Sequence, residues 1–134
     1  MKITLKTSEL RAMFETASGL AVDQATGQHR KWPVKVSYWI ARMITKMHGD
    51  YEASEKLRLG LAEQFGTKTA DGKLFEFETG AAQQFNESMG AINETMLDVE
   101  LPAIGITSFE GVDIEPRVFV VFDKLIVEPL DLPA

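Results

Sequence analysis

Cysteine is absent from the 134 residues, and histidine occurs only twice. The first absence excludes disulfide frameworks and thiolate zinc sites, and it fits a reducing compartment. With only His29 and His48, nineteen positions apart, a zinc site would need several carboxylates to fold in. No apolar run approaches the ~20 residues that span a bilayer. The N-terminal Met1-Lys2-Ile3-Thr4-Leu5-Lys6 lacks the apolar stretch of a secretory signal. These absences describe a soluble intracellular protein with no metal or cofactor. Phosphate-cradling glycine loops, nucleophile elbows and paired-histidine metal helices are missing as well, so no enzyme class is indicated.

What is present is an ordinary globular balance, with 45% apolar and 25% charged residues. The length suits a single domain over residues 1–134, of which 129–134 read as a loose tail. The net charge of −6 is unevenly spread. Between Gln24 and Gly49 there is no acid, yet Arg30, Lys31, Lys35, Arg42 and Lys46 all occur there. From Asp50 to Glu115, fourteen acids face four bases. Such asymmetry either steers a partner or is satisfied by pairing within the fold or between subunits, and pairing is the preferred reading.

Periodicity predicts an α+β fold that is mainly α. Ile3 and Leu5 alternate with polar residues as a short strand. Thr7 or Ser8 then caps a helix with Leu10, Met13, Phe14 and Ala17 on one face, stopping near Gly19. Residues 23–28 are polar and unpatterned, as in a loop. Pro33 suits the start of the longest element. Val36, Ile40, Met43, Met47, Tyr51, Ser54, Leu57, Leu61 and Phe65 follow at steps of three and four, and Gly66 ends the stripe. Unbroken, this helix runs ~50 Å and must lie along another helix or another subunit. Gly49 is a candidate bend.

Asp71-Gly72 is a turn signal between short extended segments. Thr79 caps a third helix with Ala82, Phe85, Met89, Ile92 and Met96 on its stripe. Leu97, Val99 and Leu101 alternate as a strand that Pro102 stops. Over 116–126, β-branched content argues for a strand. Pro116 at the start, with Val118, Phe122, Leu125 and Ile126 on one face, favours a short helix. The expected architecture is an antiparallel helix pair, 33–65 against 80–96, completed by the short N-terminal helix and a small β element from 2–6 and 97–101. The expected core is Leu10, Phe14, Val36, Ile40, Met43, Met47, Leu57, Leu61, Phe85, Met89, Ile92 and Phe122.

Asp50, Glu52 and Glu55 are a weak cation-site candidate, since Asp50 and Glu52 point to different faces of a helix; a solvated face is the better reading. The most suggestive surface is Lys35, Trp39, Arg42 and Lys46 at steps of four, three and four, with Arg30-Lys31-Trp32 upstream. Bases interleaved with aromatics hold phosphates and stack rings. The preferred plainer reading lays Trp39 over the core edge, with basic stems around it reaching the acidic third helix. DNA is an unlikely partner, and the charge is too diluted for a DNA mimic.

The order Pro33-Val34-Lys35-Val36-Ser37-Tyr38-Trp39-Ile40-Ala41-Arg42, Tyr51-Glu52-Ala53-Ser54-Glu55-Lys56-Leu57, Glu63-Gln64-Phe65-Gly66, Asp71-Gly72, Phe85-Asn86, Val99-Glu100-Leu101-Pro102 and Gly111-Val112-Asp113-Ile114-Glu115-Pro116 is distinctive as a series. It resembles a group of short hypothetical proteins of tailed bacteriophages and prophages, a domain of unknown function. The resemblance covers residues 33 to 126 and implies a phage origin and a helical last segment. It implies no activity and no binding residues. The function expected is therefore a non-enzymatic structural or assembly protein that packs helices against itself, as a homo-oligomer, or against other phage proteins. It would act in the host bacterial cytoplasm or on the virion. The alternative is a host-directed inhibitor that binds a defence protein or sequesters a charged nucleotide.

Overall fold

The structure, a computed structural model, describes residues 1–23 and 25–128. The tail expected over 129–134 lies outside the described residues, as does Gln24 of the predicted loop. Strand β1 (Lys2–Lys6) leads directly into α1 (Thr7–Ala21), and α2 spans Val34–Phe65. A small hairpin, β2 (Thr67–Lys68) and β3 (Phe75–Glu76), precedes α3 (Thr79–Glu94) and β4 (Met96–Glu100). The chain closes with β5 (Ile104–Gly105), a 3-10 turn (Ile106–Phe109), α4 (Pro116–Val121) and β6 (Ile126–Val127). This is the mainly helical α+β fold expected from the periodicity.

β1 and β4 pair antiparallel with Lys2 opposite Glu100, Thr4 opposite Asp98 and Lys6 opposite Met96. Leu5 and Val99 are buried from this pair, so the alternation places apolar residues inward and charges outward. The β1–α1 junction is held by Thr7, which donates to the Thr95 carbonyl from both its amide and its hydroxyl. Glu9 caps α1 by accepting the Lys6 N–H at 3.0 Å, so the cap residue is Lys6 and not Thr7 or Ser8. Helix α1 continues two residues past Gly19, because Leu20 has a core site to fill.

Helix α2 runs unbroken through Gly49 and Gly60, at ~1.5 Å per residue close to 48 Å long. Its principal antiparallel partner is α1; α3, expected in that role, packs against α2 as well but less extensively. The physical reason lies in the faces on offer. Leu10, Met13, Ala17 and Leu20 of α1 are all buried, whereas α3 buries no residue fully. Down this seam Phe14 stacks on Tyr51 at 4.1 Å, the Arg11 guanidinium lies 5.1 Å from the Tyr51 ring centre, and the Trp32 indole N–H reaches the Leu20 carbonyl. Arg11 also bonds the Ser54 hydroxyl at 2.8 Å and pairs with Glu55, which Arg58 holds from the other side.

The core gathers around the first half of α2. Val36, Ile40, Met43 and Met47 meet α1, β1, β4 and the C-terminal segment there. Phe122 and Leu125 are fully buried, and α4 confirms the helical reading of 116–121, although β6 takes the chain back to an extended form. Of the expected core, Leu10, Val36, Ile40, Met43, Met47 and Phe122 are buried. Phe14, Leu61, Phe85, Met89 and Ile92 are half-buried, and Leu57 is 56% exposed. All of these but Phe14 cluster in one place. At fifteen residues α1 is far shorter than α2, so beyond Ser54 the long helix is covered by α3 and the small hairpin. Met96 leaves the α3 stripe altogether and stands exposed at the start of β4.

Glycine is required by geometry at both ends of the hairpin region. Gly72 takes a positive φ of 70° at the hairpin turn. Gly66 is extended and not the left-handed stop expected of it; a Cβ there would lie 2.8 Å from the Phe77 ring and from the Ala62 carbonyl. Phe77, packed 4.8 Å from Phe85, thus seats the hairpin against the end of α2.

The hydrogen bonds from Arg58 and Arg11 hold the Glu55 carboxyl below the usual carboxylate range. A depressed carboxylate pKa stabilises the fold above its unfolded value and loses that contribution as pH falls through the folded one. Glu55→Gln is expected to cost about 1–2 kcal/mol at neutral pH and to flatten the loss of stability below about pH 5. Chemical denaturation at several pH values checks this, and an unchanged acid slope would refute the assignment.

Candidate functional site

The basic segment behaves as two different surfaces. Val36, Trp39, Ile40 and Met43 point into the core, and Lys35, Tyr38, Arg42 and Lys46 stand on the adjacent solvent face of α2. Arg30 and Lys31 are exposed just upstream. Trp39 is only 3% exposed: its ring meets Phe122 at 5.1 Å and Phe109 at 6.0 Å, both edge-on, and its N–H donates to the Pro102 carbonyl at 2.7 Å. Trp39 is therefore removed from the candidate binding set. A buried indole whose N–H is satisfied has no free face to stack a ligand on.

Tyr38 occupies the place expected of Trp39. It is 65% exposed, and the Arg42 guanidinium lies 5.8 Å from its ring centre. Sequence reading passed over Tyr38 because it breaks the four-three-four spacing, yet residues three and four apart share a helix face, and Tyr38 stands three from Lys35 and four from Arg42. The basic side chains stand on the solvent face beside the buried Trp39 and form no ion pair with α3. Among the described residues none of Arg30, Lys31, Lys35, Arg42 and Lys46 forms an ion pair, while Lys6, Arg11, Arg58, Arg117 and Lys124 each face a carboxylate.

A second exposed surface lies at the opposite end of α2. Leu57, Gly60 and Leu61 line an apolar groove with Ala91 and Ile92 of α3, and Leu59 and Leu74 are exposed nearby. The acids of this arm are exposed too: Glu63, Glu76, Glu78, Glu87 and Glu94, with no base anywhere in α3.

The remaining candidates resolve into local partners. His48 pairs with Glu52 at 3.1 Å, Glu55 is committed to Arg11 and Arg58, and His29 is exposed where it bridges Val22. No three potential metal ligands gather among the described residues. A concavity of about 700 Å³ lies between α1 and the 113–118 segment and mixes Glu15, Asp23, Asp113 and Glu115 with Arg30 and Arg117. Among the described residues no helix is long and apolar enough to cross a membrane.

The burial of Trp39 is directly measurable. In a Trp32→Phe variant the remaining indole is expected to emit at short wavelength and to resist quenching by iodide. Trp39→Ala is expected to destabilise the fold by about 3–5 kcal/mol. Strong iodide quenching would return Trp39 to the solvent face.

No protein-family model matches the chain, and no curated protein and no solved structure matches it either.

Proposed function

We propose that this chain is a non-enzymatic assembly protein of a tailed bacteriophage, working through helix-packing contacts with itself or with other phage proteins in the host bacterium or on the virion. One observation carries the reading: the arm formed by the second half of α2 and α3 leaves apolar side chains without cover. Leu57, Leu61, Ala91 and Ile92 line its groove, Leu59 and Leu74 are exposed beside it, and α3 buries no residue. Contiguous exposed apolar surface rimmed by charge is characteristic of association sites. The phage assignment rests on the order of motifs over residues 33 to 126.

The alternative, a host-directed inhibitor of a bacterial defence protein or a sequestering protein for a charged nucleotide, draws support from the unpaired face of Lys35, Arg42 and Lys46. Burial of Trp39 weakens its nucleotide form by leaving Tyr38 as the aromatic on that face.

Light scattering across a concentration series is expected to show a defined oligomer. Leu57→Asp with Ile92→Asp, at half-exposed positions that spare the core, is expected to shift that oligomer to monomer with little change in melting temperature. A wild-type chain monomeric at all concentrations would overturn self-assembly. Coupled with a nucleotide-dependent melting shift that Arg42→Ala abolishes, it would favour the sequestering alternative.

A further inference from the structure

The two exposed surfaces of this chain are complementary to each other. One carries Lys35, Arg42 and Lys46 on a single helix face, with Arg30 and Lys31 adjoining and two exposed apolar groups, Val34 at 85% and Tyr38 at 65%. The other is the α2–α3 arm, where Glu63, Glu78 and Glu87 are exposed, Glu94 faces Lys6, and the apolar groove of Leu57, Leu61 and Ile92 is also lined by Lys56. Within one protomer they do not meet, since none of these five bases has an ion-pair partner among the described residues.

We propose that the basic face of α2 seats the acidic α2–α3 arm of a second copy of this chain, head to tail. The proposal rests on the assembly reading and names the partner of its arm. Three physical points favour this occupant. First, charge complementarity favours basic face against arm over basic face on basic face, which would bring like charges together. Second, the apolar groups correspond. Val34 and Tyr38 offer the side chains, and the groove between α2 and α3 offers the recess that they lack on their own protomer. Third, every copy carries −6 overall, so repulsion between copies is least where the basic face of one meets acids of the other. The Arg42 guanidinium held over Tyr38 also presents a compact Arg–Tyr pair, the residue types enriched at interface centres.

Two different surfaces in contact make a heterologous interface. Repeated copies then either close into a ring or extend as a filament, and each chain end keeps one unused face until closure. Contact between exposed charges also weakens with salt, whereas a purely apolar contact does not.

The test uses two double variants of the full chain. Lys35→Glu with Arg42→Glu reverses the basic face and leaves the arm intact. Glu78→Lys with Glu87→Lys reverses the arm and leaves the basic face intact. All four residues are exposed and outside the described ion pairs, so melting temperatures are expected to match wild type. By sedimentation velocity, the wild type is expected to oligomerise and its association to weaken about tenfold or more between about 0.05 M and 0.5 M salt. Each variant alone is expected to be monomeric. An equimolar mixture is expected to associate again, because the intact arm of the first variant meets the intact basic face of the second and the two reversed surfaces also carry opposite charge.

Wild-type-sized oligomers in either variant would overturn the head-to-tail contact while leaving the assembly reading standing. A mixture that stays monomeric would overturn it too. A wild-type chain monomeric at every salt concentration would overturn the head-to-tail contact and self-assembly together, and retention of that monomer by a single-stranded oligonucleotide, lost in the Lys35→Glu/Arg42→Glu variant, would give the face to a polyanion instead.

Discussion

The indole of Trp39, closed between Phe109 and Phe122 with its N–H on the Pro102 carbonyl, ties α2 to a segment 63 positions further along the chain. Around that contact Val36, Ile40 and Met43 meet the C-terminal residues Val118, Phe122 and Leu125, none of which has a regular element long enough to hold itself in place. Helix α4 has six residues and β6 has two, so their order derives from packing rather than from local propensity. The same anchor fixes the rotation of α2 about its axis. With Trp39 inward, Lys35, Tyr38, Arg42 and Lys46 must stand in water.

The second constraint is one of length. Helix α1 ends its cover of α2 near Arg11, Ser54 and Glu55, where the chain places a partly buried charge cluster in place of another apolar layer. Beyond it the long helix is accompanied only by α3 and the small hairpin, seated by Phe77 over Gly66. Burial is then incomplete on both partners, and leucines whose spacing marks them as core remain half in solvent. That incomplete burial along the groove between α2 and α3 is the physical basis for proposing the arm as an association surface.

Charge distribution follows the same division. Cations near the helix seam and the strand junction are matched to carboxylates: Arg11 and Arg58 to Glu55, Lys124 to Glu9, Lys6 to Glu94. Those of the acid-free segment are not. Exposed pairs contribute little to stability, so the unmatched bases cost the fold little and leave a field available to a partner.

Local chemistry made several elements legible in the chain itself. Alternation in Ile3–Leu5 and Leu97–Leu101 identified two strands that the structure pairs, Asp71-Gly72 marked the hairpin, and the three-four spacing from Val36 to Phe65 marked the long helix, which the structure carries straight through the candidate bend at Gly49. Pro116 correctly opened a short helix in a β-branched stretch. Each of these depends on neighbours a few residues away, which is why sequence determined them. Periodicity also reports which side of a helix is apolar, but not how far along that side a partner extends. Only the tertiary structure decided that α1 rather than α3 would be the main partner, that Leu57 would stay in solvent, and that Trp39 would turn inward while Tyr38 took the exposed face. Those outcomes depend on the relative lengths of α1 and α2 and on the Phe109–Phe122 pocket, built from residues some seventy or more positions from Trp39, and no local pattern carries that information.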